Sequence, residues 1–176
     1  MQREYSLNSS RVKPAVQAAL GVILMVLSAK LTIQIQPIPI TMHELGIVLI
    51  GLLFSPAMAL TTQVSYVGLG LLGLPVFSNM LAGPAVVFGP KGGFILSFLF
   101  GSFIISYLKQ RLDGKLAHWL ATAAGLSFVF AAGVFWLSFF VGWQDALRLG
   151  LAPFMLPLVV KTGIICSLWS WFNSGR

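Results

Sequence analysis

Lys161 is the residue whose position most constrains the chemistry, because it stands near the middle of an apolar run covering residues 152 to 172. At a rise of 1.5 Å per residue it lies roughly 14 Å from the nearer end of such a helix, and an unpaired ammonium at mid-bilayer costs roughly 2.5 to 3.5 kcal/mol. Something must compensate that charge: an anionic or strongly dipolar ligand held in a cavity, or a structural carbonyl. Pro157 removes a helical hydrogen bond one turn before Lys161 and leaves a carbonyl available beside it. The chain has four acids, Glu4, Glu44, Asp113 and Asp145, all expected at helix ends or in loops, so the negative charge is expected to arrive with the ligand. His43 and Glu44 stand together where a helix should begin; they are read either as end-capping and interfacial residues or as polar walls of the same site. Asn79 has an amide able to donate and accept toward a polar ligand group. Tyr66, Phe77, Phe94 and Trp136 are candidates to line an apolar pocket. Gly89-Pro-Lys-Gly-Gly93 leads into a helix N-terminus, a position able to hold an anion, but it lacks the spacing of a nucleotide-binding loop and by itself reads as a turn.

The missing motifs exclude as much as the present ones imply. There is no Ser-His-acid set, no metal-ligand cluster and a single cysteine, Cys166, so no internal disulfide or thiolate cluster can form. Catalysis, metal and organic cofactors are not expected. Hydrophobic residues make up 57% of 176 positions and charged residues 9%, against about 25% charged in soluble domains, which excludes a water-soluble globule. The net charge of +7 therefore marks topology and the lipid bilayer as partner, with no nucleic-acid partner expected.

The elements that must position these residues follow from apolar runs and their punctuation. Residues 14 to 33 form a first helix long enough to cross a bilayer. Residues 34 to 41, with Pro37 and Pro39, are expected as a loop, and residues 34 to 43 as a lid over a site. Thr41 and Glu44 have capping-box spacing and are expected to start a second helix. Ser55-Pro56 divides the apolar stretch to Phe77 into a second and a third helix, with Ser as cap and Pro at the first helical position. The glycines and prolines of residues 73 to 93 delay a fourth helix until about Phe94; it runs to about Tyr107. A fifth covers roughly 117 to 140 and a sixth roughly 152 to 172, with the intervening residues 141 to 151 expected as a loop. The expected fold is all-α, a polytopic membrane protein of six transmembrane helices forming a single transmembrane substrate-binding domain over residues 1–176.

A cytoplasmic N-terminus places Arg3, Arg11, Lys13, Lys109, Arg111, Lys115 and Arg176 on one side, so both termini are expected to be cytoplasmic in a multi-pass cell-membrane protein. The proline and glycine loops then share the outer face. Ala15 and Ala19, with Ala18 and Gly21 close by, give the first helix a small-residue surface that allows another helix to approach. A ligand-free scaffold subunit is the competing reading, but it needs neither a central charge nor clustered irregular loops.

Pro37-Ile-Pro-Ile-Thr-Met-His-Glu-Leu-Gly46, Gly73-Leu-Pro-Val-Phe77, Gly89-Pro-Lys-Gly-Gly-Phe94, and Ala152-Pro-Phe followed by Lys161 occur in the order seen in the BioY family, which the chain resembles over nearly its whole length. That family comprises the biotin-specific S components of energy-coupling factor (ECF) transporters. The resemblance implies a six-helix S-component fold with high-affinity biotin uptake from the outer face, Asn79 and Lys161 at the ligand, and no enzymatic activity. It also implies that Ala15 and Ala19 meet a transmembrane coupling subunit working with a pair of ATPases. Four positions depart from the family pattern. Leu158 replaces an acid three residues before Lys161, and Pro157 replaces a glycine, so the ion pair expected within the last helix is absent. His43 and Glu44 stand where smaller neutral polar residues are more usual.

Overall fold

The computed structural model describes residues 2–33, 40–113, 116–154 and 163. Helices dominate: α1 (Gln2–Lys30), α2 (His43–Leu53), α3 (Pro56–Leu71), α4 (Pro84–Val87), α5 (Gly92–Arg111), α6 (Ala117–Val141) and α7 (Trp143–Gly150). The all-α expectation holds, qualified by a pair of two-residue strands, β1 (Thr32–Ile33) and β2 (Ile40–Thr41), paired antiparallel with Thr32 opposite Thr41. β-branched residues at both ends of the expected loop suit that extended pairing. Lys161, Leu158, Pro157 and Cys166, and most of the expected sixth helix, lie outside the described residues, as do residues 34 to 39 of the expected lid.

Among the described residues, three helical stretches, Lys13–Lys30, Gly92–Arg111 and Ala117–Val141, are long and apolar enough to cross a membrane. They expose large apolar side chains, among them Leu20, Ile23, Phe100, Leu120, Phe135 and Phe139, at levels that water would penalise and hydrocarbon does not.

Several element ends differ from expectation. α2 starts with Met42 as its cap and without a side-chain capping bond from it, one residue later than the expected cap at Thr41. With Met42 at the cap, Glu44 falls at the second helical position, one short of the third position from which a capping-box side chain reaches back. The α2–α3 break occurs where Ser55-Pro56 predicts it: Ser55 Oγ accepts from Met58 N–H at 3.4 Å and Pro56 opens α3. α5 begins two residues before Phe94 and continues through Lys109 and Arg111. Those long side chains extend the helix past its apolar stretch, Lys109 Nζ donating to Leu52 O and Ser106 Oγ to Phe54 O, the open carbonyls at the end of α2. The expected loop 141 to 151 is mostly helix α7, entered through Gly142 at φ 82°, with Asp145 in its first turn and Arg148 in its last, each complementing the helix dipole.

Packing is tightest where glycines remove side chains. A Cβ on Gly125 would lie 2.7 Å from Gly101 O, one on Gly93 would collide with Trp136, and one on Gly133 with Phe94. α5 and α6 therefore meet backbone to backbone, the approach that dispersion and lipid exclusion reward inside a membrane. α1 attaches along a narrower stripe of Gly21, Met25, Ser28 and Ala29, with Met25 and Ser28 against Gly46 of α2 and Gly21 against Thr62 of α3.

Candidate functional site

The glycine seam between α5 and α6 holds one wall of a cavity of about 700 Å³, its open mouth included. α5 supplies Phe94 and Phe98, one turn apart, with Ile95 beside them, and α6 supplies Val129 and Phe130. Phe94 and Phe130 meet edge to face at 6.3 Å, and Phe130 packs on Phe154 at 5.7 Å, closing that side. α2 contributes His43 and Glu44 from its first turn, 7% and 8% exposed. Phe77 and Ser78 come from the segment after α3, Val86 from α4, and Lys91 from the residue that caps α5. The lining is thus mostly aromatic and aliphatic, with a carboxylate, an imidazole and an ammonium converging on it. That combination suits a ligand with an apolar body, hydrogen-bonding groups and negative charge.

Local conformation explains how each group arrives. Phe77 seats against Gly70 of α3, where any Cβ would collide with its ring. The segment behind it is tied down by Leu74 N–H to Leu69 O at 3.1 Å, Gly83 N–H to Gly70 O at 2.8 Å and Phe77 N–H to Leu81 O at 3.2 Å. Trp136 Nε1 donates to Gly89 O at 3.0 Å, fixing the turn that presents Lys91. The close approach of Gly92 to Val87 O leaves no room for a side chain there.

Of the residues singled out from sequence, His43, Glu44, Phe77 and Phe94 come together on this cavity. Tyr66 is fully buried one layer behind the wall, its hydroxyl 2.9 Å from His43 Nε2. Asn79 is exposed, in the left-handed region at φ 58° within the turn Ser78–Met80, next to the lining residue Ser78 but not itself on the wall. Trp136 supports the turn rather than the pocket. Ala15 and Ala19 are exposed on α1. Lys91, Phe98, Val129, Phe130 and Phe154 join the wall without having been singled out. The Gly-Pro-Lys-Gly-Gly run did mark a helix start, but nothing in it says which way the lysine faces.

The sequence profile of the BioY family matches residues 1–173. The chain is 30% identical over 172 residues to the "Probable biotin transporter BioY" of Rickettsia prowazekii, covering 97% of this chain and 89% of that one. It is 34% identical over 151 residues to the protein of the same description from Pyrococcus horikoshii, covering 86% and 90%. The crystal structure of an "S-component for biotin from an ECF-type ABC transporter" superposes with a TM-score of 0.81 at 25% identity, covering 95% of this chain and 94% of that one. In sequence and in fold alike, the chain belongs to the BioY family.

Proposed function

We propose that this chain is the biotin-binding S component of an ECF-type transporter, taking up biotin from the outer face into the cavity between α2, α5 and α6. The observation that carries the reading is the cavity itself: an aromatic enclosure with Glu44, His43 and Lys91 on its wall, in a fold shared with an S component for biotin. Biotin offers a polar cyclic urea, an apolar sulfur ring and an aliphatic carboxylate. Phe94, Phe98 and Phe130 suit its apolar parts. Glu44 suits a urea N–H, and Lys91, at the mouth beside the α5 N-terminus, suits the carboxylate by a charge-assisted bond. Lys161 and Asn79 complete the ligand contacts on this reading, carried by their match to the family's pattern.

On the same proposal residues 1–176 act as one multi-pass unit of six transmembrane helices with both termini cytoplasmic, supported by the distribution of basic residues. A transmembrane coupling subunit, with its ATPase pair, docks at Ala15 and Ala19, whose exposure on α1 supports that role. The bound chain holds substrate and performs no covalent chemistry.

Isothermal titration of biotin into detergent-purified protein tests the reading, beside Lys91→Gln and Lys161→Ala variants. One-to-one binding that weakens in both variants supports it; a folded, monodisperse wild type that takes up no biotin overturns it.

A further inference from the structure

Tyr66 is fully buried, and its side chain touches the backs of two cavity-lining residues without lining the cavity itself. Its hydroxyl donates to Val76 O at 3.1 Å and lies 2.9 Å from His43 Nε2. A phenol has one proton to give. With that proton on a carbonyl, which can only accept, the second bond forms only if His43 Nε2 carries a hydrogen and donates it. A neutral imidazole then has its lone pair on Nδ1. The ring is held in place from two directions, edge-on to Tyr66 with centroids 6.2 Å apart and tilted against Phe98 at 5.2 Å. Tyr66 also meets Phe77 edge to face at 5.5 Å.

We propose that Tyr66 is a positioning residue of the binding site: it ties the segment carrying Val76 and Phe77 to His43 and sets the tautomer of that imidazole. The placement of the segment and the proton on His43 Nε2 are thereby linked through one phenol. The proposal rests on the biotin reading for its effect on binding, but its geometric half does not. Any change that releases Val76 from Tyr66 frees the hydroxyl proton to turn toward His43 and allows the other tautomer. Sequence alone does not connect these residues, since 23 positions separate His43 from Tyr66.

The test combines titration with histidine spectroscopy. The chain has two histidines, so a ¹⁵N-histidine spectrum in a His118→Gln background reports His43 alone. The wild-type ring should show protonated Nε2 and unprotonated Nδ1, and Tyr66→Phe should shift both signals toward a mixture of tautomers. The same variant should weaken biotin binding about three- to tenfold, the range for one lost hydrogen bond. In a His43→Leu background it should add less than about twofold, because its route to the ligand is gone. Equal losses in both backgrounds, unchanged binding in Tyr66→Phe, or a wild-type ring protonated at Nδ1 alone would each overturn the proposal. If Tyr66→Phe does not fold, the wild-type spectrum still decides the tautomer. A wild type that ignores biotin overturns the functional reading, and the spectrum judges the Tyr66 network independently.

Discussion

The α5–α6 pair and the α1 helix are both apolar, yet they are attached to the fold in opposite ways. Across the α5–α6 seam, glycines on both helices let backbone meet backbone and leave no freedom to slide: Gly125 faces Gly101 O, Gly93 faces Trp136 and Gly133 faces Phe94. α1 contributes a stripe of Gly21, Met25, Ser28 and Ala29 and leaves Val16, Leu20, Ile23 and Leu27 more than half exposed. Its contact with α3 even contains polar groups that are poorly served. Thr62 Oγ1 and Gln63 Oε1 are buried without a hydrogen-bond partner among the described residues, and Gln63 Nε2 finds only Met25 Sδ at 3.5 Å. The difference separates two tasks. The interlocked pair holds the cavity wall, while the lightly attached helix, on the proposed reading, keeps its exposed face for another protein.

The contrast can be broken most severely at the base of α5. In Gly92→Val the new side chain meets Val87 O, a backbone atom that cannot yield like a flexible side chain. The variant should lose at least about 3 kcal/mol of stability and retain no biotin binding, as read by monodispersity and titration. Lys91→Gln, one residue away, should leave the fold intact and weaken biotin about 10- to 100-fold, the range for a charge-assisted hydrogen bond; a methyl ester of biotin should lose little further in that variant. Gly70→Ala should act between these, pushing Phe77 off its seat. Thermal stability should fall by about 1 to 3 kcal/mol, together with weakened binding.

Changes on α1 should leave the site nearly untouched. Ala15→Leu with Ala19→Leu should bind biotin within about twofold of wild type while abolishing uptake in cells that supply the coupling subunits; loss of binding would show that α1 is part of the cavity's support. The smallest effect is expected from Thr62→Val, which removes a buried hydroxyl with no partner among the described residues and keeps its shape. Its melting temperature should be unchanged or slightly higher, with stability gaining up to about 1 kcal/mol.

Much of the architecture was legible because it depends on local chemistry. Ser55-Pro56 ends one helix and starts the next since proline cannot donate and serine can cap. The seam of α5 and α6 was not legible, because a glycine in an apolar run looks the same whether it faces lipid or another backbone. α7 was read as a loop because its eight residues fall between two long apolar runs; only its packing of Ala146 and Gly150 against the bundle shows an amphipathic helix. His43 and Glu44 were weighed as capping and interfacial residues against site residues, and the packing of α2 places both on the cavity wall.

Residue content alone was enough to establish a membrane protein with punctuated helices, because hydrophobic surplus and proline or serine stops act within a few residues of themselves. The motif order was enough to point to the family. Which polar groups share one cavity was decided only in three dimensions. Lys91 reaches the wall because Trp136 holds its turn from 47 positions away, and His43 meets the hydroxyl of Tyr66, which also reaches Val76 O, from 23 positions away. A helix can be rotated without changing its sequence signal, and its rotation is set by what it packs against.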